Sequence, residues 1–209
     1  MTLSRRVTHE RGRTIASNST FAAIAVMLIA VSVLQTRPAK SSSATTSQAA
    51  PKPALLERNE GEARIWRDPP PGGFMLKISP QNNGSQHLVF GTEDLPPGGE
   101  IPTHKHLGQD EIVYIEKGTV HVHLGDQERD LHAGGMVFIP AYTWVNIKNA
   151  GSETVNSVFV FSAPGFENHL RCMSVLPNET PTTTSPEEQK ECDQQGHVVY
   201  MGREENPKQ

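Results

Sequence analysis

The chain has 209 residues, a formal charge of −4, 35% hydrophobic residues and 6% aromatic ones. That length allows one ordinary domain plus tails, and the low aromatic share means one stretch must supply most of the core. Residues 1–40 hold six basic residues against the single acid Glu10, so the remainder carries −9. No nucleic-acid partner is expected for such an acidic remainder, because phosphate binding needs clustered Lys and Arg.

At the N-terminus Arg5, Arg6, Arg11 and Arg13 precede the apolar run Phe21 to Val31, which Val33 and Leu34 prolong. This is the layout of a secretory n-region followed by an h-region. Two outcomes stay open. Ser47, Ala49 and Ala50 offer a cleavage site, whereas residues 15–34 are long enough for an uncleaved inner-membrane anchor with the arginines inside. The distance from the apolar run to those small residues favours the anchor. Either way the rest of the chain is expected to be exported, to the periplasm or the exterior. Residues 1–40 are thus read as signal peptide or membrane anchor helix and 41–60 as a Ser/Thr/Ala/Pro linker. Residues 61–174 form the folded barrel, and 175–209 a flexible C-terminal tail.

The barrel segment is all-β by pattern. No stretch repeats its apolar residues every 3.6 positions, while short alternating runs recur between Gly, Pro and Asn punctuation. The predicted strands are Phe74 to Ile78, Gln86 to Thr92, Glu111 to Glu116, Thr119 to Leu124, Met136 to Ile139, Thr143 to Lys148 and Thr154 to Phe161. Many short strands at close spacing imply a sandwich or a small closed barrel.

The segment from Gly98 to Gly118 carries the chemistry. If the chain is extended there, His104 and His106 share one face and Lys105 takes the other. A short turn at Leu107 to Asp110 then brings in Glu111 at the head of the next strand. Two imidazoles and a carboxylate converging on an apolar interior would hold one divalent metal ion and leave coordination positions free. Glu111 could also exchange protons.

Here the chain resembles the cupin family. Gly98, His104, His106, Glu111 and Gly118 fill each position of that family's first motif, a glycine, His-x-His, Glu and a second glycine at fixed spacing. Its second motif meets Gly134, Pro140 and Asn149, but Tyr142 stands where a glycine is expected and Val145 where the fourth ligand, a histidine, is expected. Ala163 to Glu167 looks like the segment that closes the barrel in quercetin-dioxygenase-like cupins. The resemblance spans roughly residues 74–166. It implies a double-stranded β-helix, jelly-roll-like, with Fe, Mn, Ni or Zn at its mouth, and often a homodimer. It also implies dioxygenase-type chemistry on a small oxygenated organic molecule. The alternatives are a non-catalytic small-molecule or sugar-binding cupin and a metal-dependent isomerase or lyase. What Val145 puts in question is metal affinity and turnover.

Other residues complete the expectations. His121 and His123 alternate with Val120, Val122 and Leu124, so they should face outward, with an adventitious second metal site as the lesser reading. His87 and His132 read as structural. Tyr142 and Trp144 could stack on a ligand, although plain packing is the commoner role of such residues. In an oxidising compartment Cys172 and Cys192 read as one disulfide, the alternative being two thiols.

Overall fold

Alternation of apolar and polar side chains builds two antiparallel sheets whose inner faces share one interior. The computed structural model describes residues 50–68 and 72–203. The segment 15–34, on which the anchor reading rests, lies outside them. Among the described residues no helix is long and apolar enough to cross a membrane.

In chain order the strands are β1 (Glu62–Trp66), β2 (Gly73–Ile78), β3 (Val89–Leu95), β4 (Glu100–His106), β5 (Glu111–Lys117) and β6 (Thr119–Leu124). After them come β7 (Gln127–His132), β8 (Met136–Ile139), β9 (Val145–Asn149), β10 (Val155–Phe161), β11 (Ser174–Val175) and β12 (Val198–Tyr200). Helix α1 (Pro80–Asn83) follows β2, α2 (Phe166–Cys172) follows β10, and α3 (Pro186–Gly196) precedes β12. The larger sheet runs β11-β1-β2-β3-β10-β5-β8 and the smaller β12-β4-β9-β6-β7.

Two apolar clusters fill the interior. One gathers Val113, Ile115, Val120, Val122, Val137, Ile139, Val145 and Ile147 from β5, β6, β8 and β9. The other gathers Phe74, Leu76, Phe159, Phe161, Phe166, Leu170 and Tyr200 toward the end where β12 and α2 sit. Burying each such Val, Ile or Phe contributes about 1.5–3 kcal/mol.

The strands expected at 119–124 and 136–139 have those bounds in the structure, and Gln86 to Thr92 moves along to Val89–Leu95. Two kinds of element escape the period-2 pattern. Strand β7 is polar along almost its whole length, and it is a strand because the two-residue turn Gly125-Asp126, with Gly125 at φ 57, folds it back on β6 from Leu124↔Gln127 to Thr119↔His132. The C-terminal stretch read as a tail from 175 onward contains α3 and β12. Helix α3 starts with a reciprocal cap, in which Ser185 Oγ accepts from Glu188 N at 3.2 Å and Glu188 Oε2 accepts from Ser185 N at 2.8 Å. The sequence Ser-Pro-Glu-Glu carried that signal. The Cys172–Cys192 disulfide ties α3 to α2 across a separation of 20 residues. Closing a loop of that length stabilises the fold by about 3 kcal/mol.

Strand β9 begins later than expected because Tyr142 turns the chain. Its φ is 68, it donates its N–H to His106 O at 2.8 Å, and its side chain is 66% exposed. A bulky residue in the left-handed region is strained by about 1 kcal/mol or more, which explains why the motif prefers glycine there. Tyr142→Gly loses little packing and relieves that strain, offset in part by a more flexible unfolded chain. Denaturant melts of the two proteins are expected to show a gain of about 0.5–1 kcal/mol for the variant, whereas a loss of stability would mean that the exposed ring holds the turn.

Candidate metal centre

Strand β4 sets the first two side chains. His104 and His106 are 4% and 1% exposed, while Lys105 between them turns outward to lie 4.3 Å over the Trp144 ring. The strand is held on both edges, since His104 pairs with Val145 of β9 and with Tyr200 of β12, and His106 pairs with Val198. Glu111, 7% exposed, opens β5 opposite Phe161 of β10 and Ile139 of β8. The intervening turn is fastened at several points. Leu107 N donates to His197 O at 2.7 Å, Gln109 Nε2 to Pro164 O at 2.9 Å, and Asp110 N to Ser162 Oγ at 2.9 Å. Asp110 Oδ1 in turn accepts from Ala141 N at 2.9 Å.

The three side chains converge as the spacing predicted, each offering one donor atom within 4.8 Å of the others. His104 Nδ1 lies 2.8 Å from Pro102 O, so Nδ1 carries the proton and Nε2 keeps a lone pair. His106 Nε2 is 3.0 Å from Glu111 Oε2, and His106 Nδ1 is buried without a partner among the described residues. Burial, then the neighbouring His106, pushes the His104 pKa down to about 3, so the ring is neutral and free to donate its lone pair. A neutral His104 ring with a second imidazole and a carboxylate is a donor set that suits a borderline divalent ion. These residues therefore fit a metal.

Val145, at the place of a fourth imidazole, is 1% exposed in the core and directly across from His104. No other histidine replaces it among the described residues. His87 is exposed, His132 Nδ1 meets Thr119 Oγ1 at 3.0 Å on the outer hairpin, and His121 and His123 lie outside as expected. Trp144 stacks under Lys105 and Tyr142 projects into solvent, so neither lines the cavities beside His104. Both belong to the turn that re-aims β9, which explains their place outside the barrel.

What does line the interior includes residues that carried no sequence motif. A chamber of about 50 Å³ lies against His104 and Glu111, and it shares Trp66, Glu93, Ile101 and Tyr200 with a cleft of about 180 Å³ that reaches His169 and Arg203. Tyr200 stacks on His104 at 5.4 Å, and its Oη lies 3.1 Å from His169 Nε2. Burial pushes the Tyr200 phenol well above its usual range, so it stays protonated. Arg203 sits 4.5 Å over the Tyr200 ring and 3.4 Å from Asp193, whose other oxygen faces His169 Nδ1 at 3.3 Å. The strand β12 thus packs over the candidate ligand His104. Glu93, bonded to Trp66 Nε1 at 3.3 Å, has its pKa raised to about 7, first by burial and then by the charge of Glu111.

The class these features define is a double-stranded β-helix with a metal-ligand triad at one end. Residues 91–161 match the family model described as "Cupin domain". Among similar solved structures, a predicted oxalate decarboxylase from Thermotoga maritima is 23% identical over 53% of this chain and 100% of that one, with TM-score 0.48. An oxalate decarboxylase from Lactobacillus farciminis in complex with formate is 22% identical over 55% of this chain and 31% of that one, with TM-score 0.42. KdgF from Halomonas sp. is 20% identical over 47% and 87%, also with TM-score 0.42. No curated protein matches the chain.

Two groups at the cavity, the buried His104 and the half-buried Glu93, give opposite pH signatures. Unfolded His104 takes a proton near 6.5 and the folded one near 3, so between those values the unfolded state binds more protons and stability falls as pH falls. Glu93 titrates near 4.5 unfolded and near 7 folded, so there the folded state binds more protons and stability falls as pH rises through that window. Glu93→Gln keeps an acceptor for Trp66 and removes the second effect. Relative to wild type the variant is expected to be equally stable at acid pH below the window and about 1–2 kcal/mol more stable above it, reduced from the full linkage value because Glu93 borders cavity water. Urea unfolding across that range reads the difference, and parallel curves would show that Glu93 ionises normally.

Proposed function

We propose that this protein is an exported, metal-dependent cupin that acts on a small oxygenated organic molecule, with dioxygenase-type chemistry as the leading reaction. The observation that carries the reading is the convergence of His104, His106 and Glu111, with His104 and Glu111 lining a chamber that shares Glu93 and Tyr200 with a larger cleft. A divalent ion held there would supply Lewis-acid activation and a template for a substrate oxygen. The chain's own residues do the rest. The aromatic wall of Phe159, Phe161 and Phe166 excludes water, and the small volume restricts the ligand to a compact molecule. Arg203 at the rim supports selection of a substrate with a carboxylate or enolate oxygen.

A second reading, metal-dependent lyase or isomerase chemistry, is favoured by Glu93. A carboxyl with a pKa of about 7 inside the cavity can give or take a proton at neutral pH. Export is supported by the Cys172–Cys192 disulfide, since such bonds persist in oxidising compartments. A homodimer is supported by the outer face of β5 and the edge strand β8. There Ile112 opposes Phe138, Tyr114 opposes Met136, and all four are exposed.

The test is turnover of a panel of enols, phenols and small dicarboxylates by metal-loaded protein, with oxygen consumption and product formation followed separately. Oxygen uptake lost by at least a hundredfold in His106→Ala is the expected result. Product formation without oxygen, abolished in Glu93→Gln, would move the assignment to the second reading. No turnover with any compound, alongside tight ligand binding, would overturn the enzymatic account.

A further inference from the structure

Strand β6 carries a second His-x-His pair on the face opposite the core. Val120 and Val122 are 1% and 4% exposed, so His121 and His123 project from the outer surface of the small sheet. The hairpin register places Glu128 of β7 directly across from His123, and Asp130 across from His121. This register brings two imidazoles and two carboxylates together as successive pairs on one face of the hairpin.

Their distances are those of a ligand sphere. His121 Nε2 lies 3.2 Å from His123 Nε2 and 2.8 Å from Glu128 Oε1, and the three donor atoms fall within 4.8 Å of one another. Ligands about 2.0–2.1 Å from a tetrahedral ion stand roughly 3.3 Å apart, so little movement would be needed to close on one. The fourth group completes the pattern. Asp130 Oδ1 sits 2.6 Å from His121 Nδ1, which takes the proton on that side and aims the Nε2 lone pair at His123 and Glu128.

We propose that the β6–β7 hairpin is a second metal site, in which His121, His123 and Glu128 hold a borderline divalent ion such as Zn²⁺ and Asp130 orients His121. It is separate from the barrel triad, because its side chains leave the opposite face of the sheet. The competing arrangement is metal-free, with an imidazolium at His121 shared between Asp130 and Glu128. In that arrangement His123 contributes nothing essential.

The two arrangements differ in how many ions the full chain binds. Protein stripped with chelator is dialysed against buffered Zn²⁺ near neutral pH, and bound metal is counted for wild type, His123→Ala and Asp130→Asn. Both substituted positions are on the surface, so folding should be unaffected, and circular dichroism checks this. The site predicts one ion fewer per chain in His123→Ala, and hairpin affinity weakened by about tenfold or more in Asp130→Asn. Equal counts in wild type and His123→Ala would overturn it, whether or not the barrel binds metal. An affinity indifferent to Asp130→Asn would overturn the orienting role.

Discussion

The burial alternation of β4 is the constraint on which the rest depends. Beyond the irregularity between Ile101 and His104, a strand clamped between β9 and β12 presents alternate side chains to the interior, and here those are His104 and His106. A shift of register by one residue would send both to solvent and bring Lys105 inside. The pairing of His104 with Tyr200 and of His106 with Val198 therefore does more than extend a sheet. It fixes the register at the site, and it brings the residues that roof the cavity.

Burial has an electrostatic consequence that runs through the whole site. It disfavours charge on every group, so His104 is neutral, Tyr200 keeps its proton and Glu93 is drawn toward neutrality. At His104 this leaves the Nε2 lone pair free for a positive ion, whereas a metal at the triad would have to replace the proton shared by His106 Nε2 and Glu111 Oε2. The same loss of hydration makes the arrangement unfavourable unless its polar atoms find partners, and the unpartnered His106 Nδ1 is one such unmet demand. The outer hairpin works the other way. His121 there is only half-buried, and Asp130 raises its pKa through a hydrogen bond.

Much of the barrel was legible because period-2 alternation survives in strands with one buried face, as in β5 and β6. The metal triad was legible for the same reason, since i, i+2 spacing fixes the facing of two histidines and a short turn limits where Glu111 can lie. The rest depended on long-range pairing. Strand β12 is a three-residue run after a polar stretch, and only its docking on β4 makes it a strand. Glu93 and Tyr200 belong to no local motif, and their importance arises from the cavity that distant strands enclose. Tyr142 and Trp144 could have stacked on a ligand or simply packed, and in the fold Tyr142 is exposed at a left-handed turn while Trp144 lies against Lys105. Val145 shows the reverse, a position whose identity was visible in the sequence and whose packing across from His104 is visible only in the fold.

X-ray absorption spectroscopy of Zn²⁺- or Co²⁺-loaded His121→Ala/His123→Ala protein addresses the barrel centre alone. The account predicts one bound ion with two imidazole nitrogens at about 2.0–2.1 Å and a carboxylate oxygen at a similar distance. A bound ion without imidazole scattering, or a chain that takes up no ion at all, would contradict it.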